Sequence, residues 1–165
     1  MTSNVLPADV LTLLGIADAV KEVGTTRGDI KVWLDGLNHY HQGLDGNDTI
    51  TGNTGNNYIE GGAGADAMLL DLGGSNDTLG YFNSDAAVNV TLGLLGIIQS
   101  ASGGHAQGDS SLGGFENIVG SDLFGDTRWA GGRLDKEAPG DRITRPPSAP
   151  TATTSCAGRP PRSRR

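Results

Sequence analysis

Four residues with side-chain oxygens, Asp48, Asn57, Asp66 and Asp77, recur at intervals of nine, nine and eleven residues in a segment dense in glycine. The first three hold the sixth position of consecutive nonapeptides, GLDGNDTIT, GNTGNNYIE and GGAGADAML, which run without a gap over residues 43–69. In each unit the fourth position is glycine (Gly46, Gly55, Gly64) and the eighth is a large apolar residue (Ile50, Ile59, Met68). A frayed fourth unit, LGGSNDTLG, follows at 72–80, displaced by two extra residues. Carboxylates set beside glycine-rich turns supply oxygen donors, and backbone carbonyls supply more. A hard divalent cation takes roughly six to eight such ligands.

The chain must hold those oxygens in place. The first six residues of a unit suit a tight turn, because glycine adopts backbone angles that other residues resist. The last three suit a very short strand whose eighth residue faces inward, while Thr49, Thr51, Tyr58 and Glu60 alternate outward. One apolar anchor cannot bury a core, so successive units are predicted to stack.

The third unit fits the pattern G-G-x-G-x-D-x-U-x throughout, and the segment resembles the RTX, or haemolysin-type, calcium-binding repeat family. The resemblance implies an all-β fold, a parallel β-roll (β-solenoid) in which two units make one turn and loops alternate between two edges. Asp48 and Asp66 then share one edge, and Asn57 and Asp77 the other. It implies calcium as the cofactor, with Asp48 and Asp66 as the stronger pair, Asn57 and Asp77 as the weaker one because an amide brings no charge, and further ligands from the loops at Gly43, Asp45, Gly46, Gly61, Ala63 and Gly64. Unpaired carboxylates repel when calcium is absent, so folding is expected to depend on the ion.

Composition divides the chain. Between Gln42 and Thr127 there is no Lys or Arg, against eleven Asp and Glu and nineteen of the 27 glycines. Such an acidic body argues against nucleic acid as a partner, whose phosphates need cations. No stretch is long enough to span a membrane. Apolar residues make up 36% of the chain and aromatics 5%, proportions better suited to a stack filled by single aliphatic side chains than to a large core.

Four regions are predicted. Residues 1–41 hold an N-terminal helix, with Pro7 and Asp9 at its start and Val10, Leu13, Leu14, Ala17 and Val20 spaced along it until Gly24, then an entering strand, IKVWL. The helix is expected to cap the stack, as ends of repeat arrays require. Residues 42–80 form the calcium-binding roll. Residues 81–127 form a glycine-rich β spacer continuing it, with Val88, Val90 and Leu92 on one face of a strand and Asp126 in the place of a repeat aspartate. Residues 128–165 form a disordered tail with nine Lys and Arg, three acids and six of the seven prolines. Its abrupt start at Arg128, where the family pattern calls for another repeat, is consistent with a shifted reading frame.

Other constellations carry less. His39 and His41 flank Tyr40, without a third donor for zinc, and read as surface residues at the start of the array. Arg27-Gly28-Asp29 and GDSS at 108–111 match short motifs that occur by chance, Asp109 and Glu116 read first as solvated loop acids, and a single cysteine, Cys156, supports no disulfide framework. The chain begins without a basic, apolar secretory leader. The resemblance nevertheless implies secretion through type I machinery into the calcium-rich extracellular medium. Two function classes remain: a secreted structural or adhesive module with an unknown protein or surface partner, or the severed C-terminal part of an RTX enzyme or toxin of the protease, lipase or epimerase type. About forty residues precede the repeats, too few for a usual catalytic domain, and no metalloprotease or nucleophile-elbow motif occurs, so no enzymatic activity is expected.

Overall fold

The computed structural model describes residues 8–70, 75–121 and 127–130. Short strands alternate between two parallel sheets. The first sheet runs β1 (Val20–Val23), β3 (His39–Gln42), β5 (Asn57–Glu60), β7 (Asp77–Gly80) and β11 (Phe115–Val119). The second runs β2 (Ile30–Val32), β4 (Thr49–Thr51), β6 (Ala67–Leu69) and β10 (Ser110–Ser111). Thr49 pairs with Ala67 and His39 with Asn57, each eighteen residues apart, the length of two nonapeptides. Tyr58 pairs with Thr78 at twenty, which absorbs the two-residue displacement of the fourth unit.

The eighth-position side chains meet between the sheets. Ile50 and Met68 from the second sheet face Ile59 and Leu79 from the first, all at most 2% exposed and in one cluster with Phe115 and Ile118. Each such side chain contributes roughly 1.5–3 kcal/mol by leaving water. Period-two geometry turns Tyr40 and Tyr58 to the opposite face of the first sheet, where their rings stack at 4.7 Å and 6°.

The N-terminal helix differs from expectation in both length and place. It spans Ala8–Leu14 only. Gly15 at φ +76° ends it, with Gly15 N–H donating to Thr12 O and Ile16 N–H to Leu11 O, the paired bonds of a Schellman motif. Val20, assigned to the helix by its spacing, instead begins β1, because its backbone pairs with His39. The helix does not close the end of the stack. It lies across the outer face of the first sheet, where Leu11, Leu14 and Ile16 pack with Tyr40, Tyr58 and Val119.

Polar groups finish the open end. Glu22 and Lys31 occupy the inward rows of β1 and β2, in register with His41 and Ile50. They form an ion pair, and Trp33 Nε1 donates to Glu22 Oε2 at 3.0 Å. Inward charges of this kind discourage a further strand from pairing with an exposed edge. His39 and His41 are buried beside Trp33, at 2% and 3% exposure, which corrects their assignment to the surface: they alternate with the buried Tyr40 inside β3, and Trp33 stacks on His39 at 4.5 Å.

The region after residue 80 only partly continues the two sheets. β8 (Asn89–Leu92) buries Val90 and Leu92, with Val88 just before it, on the expected face, but pairs antiparallel with β9 (Ile98–Ser102) in a third sheet. β10 and β11 then rejoin the second and first sheets. β12 (Thr127–Ala130) pairs with β8, so residues 128–130 belong to a strand rather than to a tail: the free edge of β8 offers backbone groups that need partners. Asp126, and the tail beyond Ala130, lie outside the described residues.

Candidate metal centre

On one side of the sheets, four loops stack: residues 24–29, 43–48, 61–66 and 104–109. Each ends on an aspartate, and the carboxylates of the last three reach the turn before them. Asp48 Oδ1 accepts from Asp29 N–H at 2.7 Å, Asp66 Oδ1 from Asp48 N–H at 2.8 Å, and Asp109 Oδ1 from Asp66 N–H at 3.0 Å. The structure thus brings Asp48 and Asp66 together, and adds Asp29 and Asp109. These are the acids of the RGD and GDSS segments, and their loops, GTTRGD and GHAQGD, keep glycine at the first position and aspartate at the sixth.

The second carboxylate oxygens divide the four. Asp29 Oδ2 accepts from Thr25 N–H at 2.6 Å, and Asp109 Oδ2 from the Tyr81 hydroxyl at 2.9 Å. Asp48 Oδ2 and Asp66 Oδ2 are buried without a hydrogen-bond partner. Both residues are 1% exposed. A buried carboxylate left in this way is costly, since its charge is neither solvated nor paired. Burial, reinforced by the like charges of Asp109 and Asp48, pushes Asp66 up to about 7. Burial pushes Asp109 up to about 6 and raises Asp48 as well.

Glycine lets these oxygens approach the neighbouring backbone closely. A Cβ built on Gly43 would stand 2.2 Å from Asp48 Oδ2 and 2.2 Å from the Gly61 carbonyl oxygen, and one on Gly61 would stand 2.0 Å from Asp66 Oδ2. Gly43 and Gly61, lacking side chains, thus form a glycine-lined cradle, with Gly61 O and Asp48 Oδ2 against the first and Asp66 Oδ2 against the second. Gly46 and Gly64 keep the loops in close approach: a Cβ on Gly64 would lie 1.9 Å from Gly46 O. Asp45 and Ala63 pair as an isolated parallel bridge, with Gly46 N–H donating to Ala63 O at 2.8 Å. This donor set, carboxylate and carbonyl oxygen without nitrogen or sulfur, fits a hard cation such as calcium. Among the described residues, no three His, Cys, Asp or Glu side chains converge on one point, so the loop carbonyls would have to complete the coordination.

The opposite side differs. Asp77 Oδ1 accepts from Asn57 N–H at 2.7 Å, as the register requires, but its Oδ2 accepts from the Ser75 hydroxyl at 2.9 Å. Asn57 Oδ1 accepts from His39 N–H at 3.2 Å, and Glu116 Oε2 accepts from Asp77 N–H at 2.8 Å, which gives Glu116 a place in this ladder.

Residues 42–79 match the family model described as RTX calcium-binding nonapeptide repeat (4 copies). The segment carries RTX repeats. Its limits take in the three regular nonapeptides and nearly all of the frayed fourth, and leave out the loops ending at Asp29 and Asp109. No curated protein matches the chain, and no solved structure does.

Proposed function

We propose that the RTX segment binds calcium between the loops at 43–48 and 61–66, and that the ion draws successive turns into a β-roll. The single observation that carries this is the pair of buried, unpartnered oxygens, Asp48 Oδ2 and Asp66 Oδ2, bordering a cradle that any side chain at Gly43 or Gly61 would fill. Calcium supplies the counter-charge that neither carboxylate oxygen finds in the protein. Gly61 O, and the carbonyls of Gly43, Asp45, Gly46, Ala63 and Gly64, are the nearest candidates for the remaining ligands.

Free energy of binding at such a site is also free energy of folding. Calcium titrated into the chelated protein should increase the β signal in far-ultraviolet circular dichroism; an unchanged spectrum up to millimolar calcium would overturn the proposal. We place the protein outside the cell, where calcium is abundant, as a structural or adhesive module whose outer second-sheet face is open. Ile30, Thr49, Ala67 and Leu112 stand exposed there. Its appearance in culture supernatant rather than in the cell fraction tests that placement.

A further inference from the structure

The two loop stacks solve the same electrostatic problem by different means. At the position where Asp48 presents an unpartnered oxygen, Asn57 presents an amide nitrogen. Asn57 is fully buried, and its Nδ2 donates to Gly55 O at 2.8 Å, Asn53 Oδ1 at 3.2 Å and Asn53 O at 3.3 Å. Those are oxygens of the same loop, the kind that surround an ion in a calcium turn. Beside the first glycine the contrast repeats. Where Gly61 O approaches Gly43, the Leu70 side chain approaches Gly52, its Cδ2 2.0 Å from a Cβ built there. An apolar group thus fills the place of a ligand.

Asparagine recurs through this stack. Asn38 Oδ1 accepts from Asn56 N–H at 2.8 Å, Asn56 Oδ1 from Asn76 N–H at 2.9 Å, and Asn76 Oδ1 from Asn117 Nδ2 at 3.1 Å. Asn53 Nδ2 reaches back to Asp35 Oδ1 at 2.6 Å and Leu37 O at 3.1 Å. The side-chain oxygens of Asn38, Asn56 and Asn76 thus join each turn to the next through uncharged acceptors, while the carboxylates of this edge, Asp35, Asp77 and Glu116, are engaged by Asn53 Nδ2, Asn57 N–H and Asp77 N–H.

We propose that Asn57 is the residue that makes this edge independent of metal: its amide takes the place of a calcium ion, and the cation requirement is confined to the aspartate edge. The metal half of this proposal rests on the calcium reading above; the role of the amide does not. Asp77→Asn and Asp66→Asn are compared by calorimetric calcium titration of the full chain. Asp66→Asn should lower the calcium bound, and Asp77→Asn should leave it unchanged; equal losses would overturn the confinement to one edge. A wild-type protein that takes up no calcium would instead overturn the calcium reading. Asn57→Asp, nearly isosteric, is melted in chelator. The melting temperature should fall by about 5 °C or more, since three acceptors lose their donor and gain a carboxylate neighbour. An unchanged melting temperature would show that the amide does not close this edge.

Discussion

Asp66→Asn should reverse its effect on stability according to whether calcium is present. Burial holds the Asp66 carboxyl at about 7, against 3.8 for an ordinary aspartate. A shift of roughly three units corresponds to about 4 kcal/mol, and screening by nearby solvent reduces this to the order of 2 kcal/mol. At a pH one unit above that value the folded protein carries the charge and bears the cost. The substitution removes the charge and keeps an oxygen to accept Asp48 N–H. Its new amide would lie near Gly64 O and Gly62 O, the counterparts of the carbonyls that Asn57 Nδ2 engages. In chelator the variant should therefore melt roughly 5 °C above wild type. In millimolar calcium the order reverses, because the lost carboxylate weakens binding, and each tenfold loss of affinity removes about 1.4 kcal/mol of ligand stabilisation. Thermal melts followed by circular dichroism in the two buffers measure both. A variant less stable than wild type in chelator, or no different in calcium, would refute the strain assigned to Asp66.

The remaining predictions concern pH, the glycine cradle and a strained loop residue. In chelator, Asp66 should make stability fall as pH rises from about 4 to about 7: its folded-state value, about 7, lies above its unfolded value of 3.8, so between them the folded chain holds a proton that the unfolded chain has released, and Asp109, pushed up to about 6, adds to the fall over the lower part of that range. Between about 4 and 6.5 His41 opposes the trend, since burial lowers it to about 4 and the unfolded chain takes up its proton first; urea titrations across pH with and without calcium should show the fall between about 6.5 and 7, where His41 no longer opposes Asp66, vanish when the ion is bound. Gly43→Ala places a methyl group 2.2 Å from Asp48 Oδ2 and Gly61 O, so it should cost about 1–3 kcal/mol in calcium and abolish calorimetric calcium uptake. Leu44 has φ +80° at the slot that Gly62 fills, at +107°, in the third unit, so Leu44→Gly should raise the urea midpoint by the equivalent of up to about 1 kcal/mol.

The regular part of the stack was legible because one rule repeated. Ile50, Ile59, Met68 and Leu79 recur at the same slot, so a single register puts all four inside. Asp29 and Asp109 escaped that rule for definable reasons. Their units carry Arg27 and Gln107 at the fourth position, and Lys31 and Ser111 rather than an aliphatic residue at the eighth. Glycine first and aspartate sixth were the surviving signals. Lys31 can stand inward because Glu22 pairs with it at the open end, and Ser111 because its hydroxyl donates to Gly96 O and accepts Ile98 N–H. The helix was overextended because Val20 continued a three-and-four spacing across Gly15, where the backbone had already turned left-handed. Only tertiary pairing distinguishes that valine from a helical one.

The difference between the loop stacks also explains why a short array tolerates its buried acids. Strands β2 to β6 each run between the two stacks, so a turn loosened by repulsion at Asp48 and Asp66 remains tied through the side-chain oxygens of Asn38 and Asn56, which accept Asn56 N–H and Asn76 N–H. The first sheet is held further by the helix Ala8–Leu14 over Tyr40 and Tyr58, and by Asn83, whose backbone and side chain both donate to the buried Glu60. Among the described residues the second sheet has no such cover: Thr49, Ala67 and Leu69 are exposed along β4 and β6, strands of three residues each. Loss of order without calcium should therefore begin in the second sheet at the aspartate edge. The amide edge and the covered sheet would keep the turns in register until an ion closes the cradle.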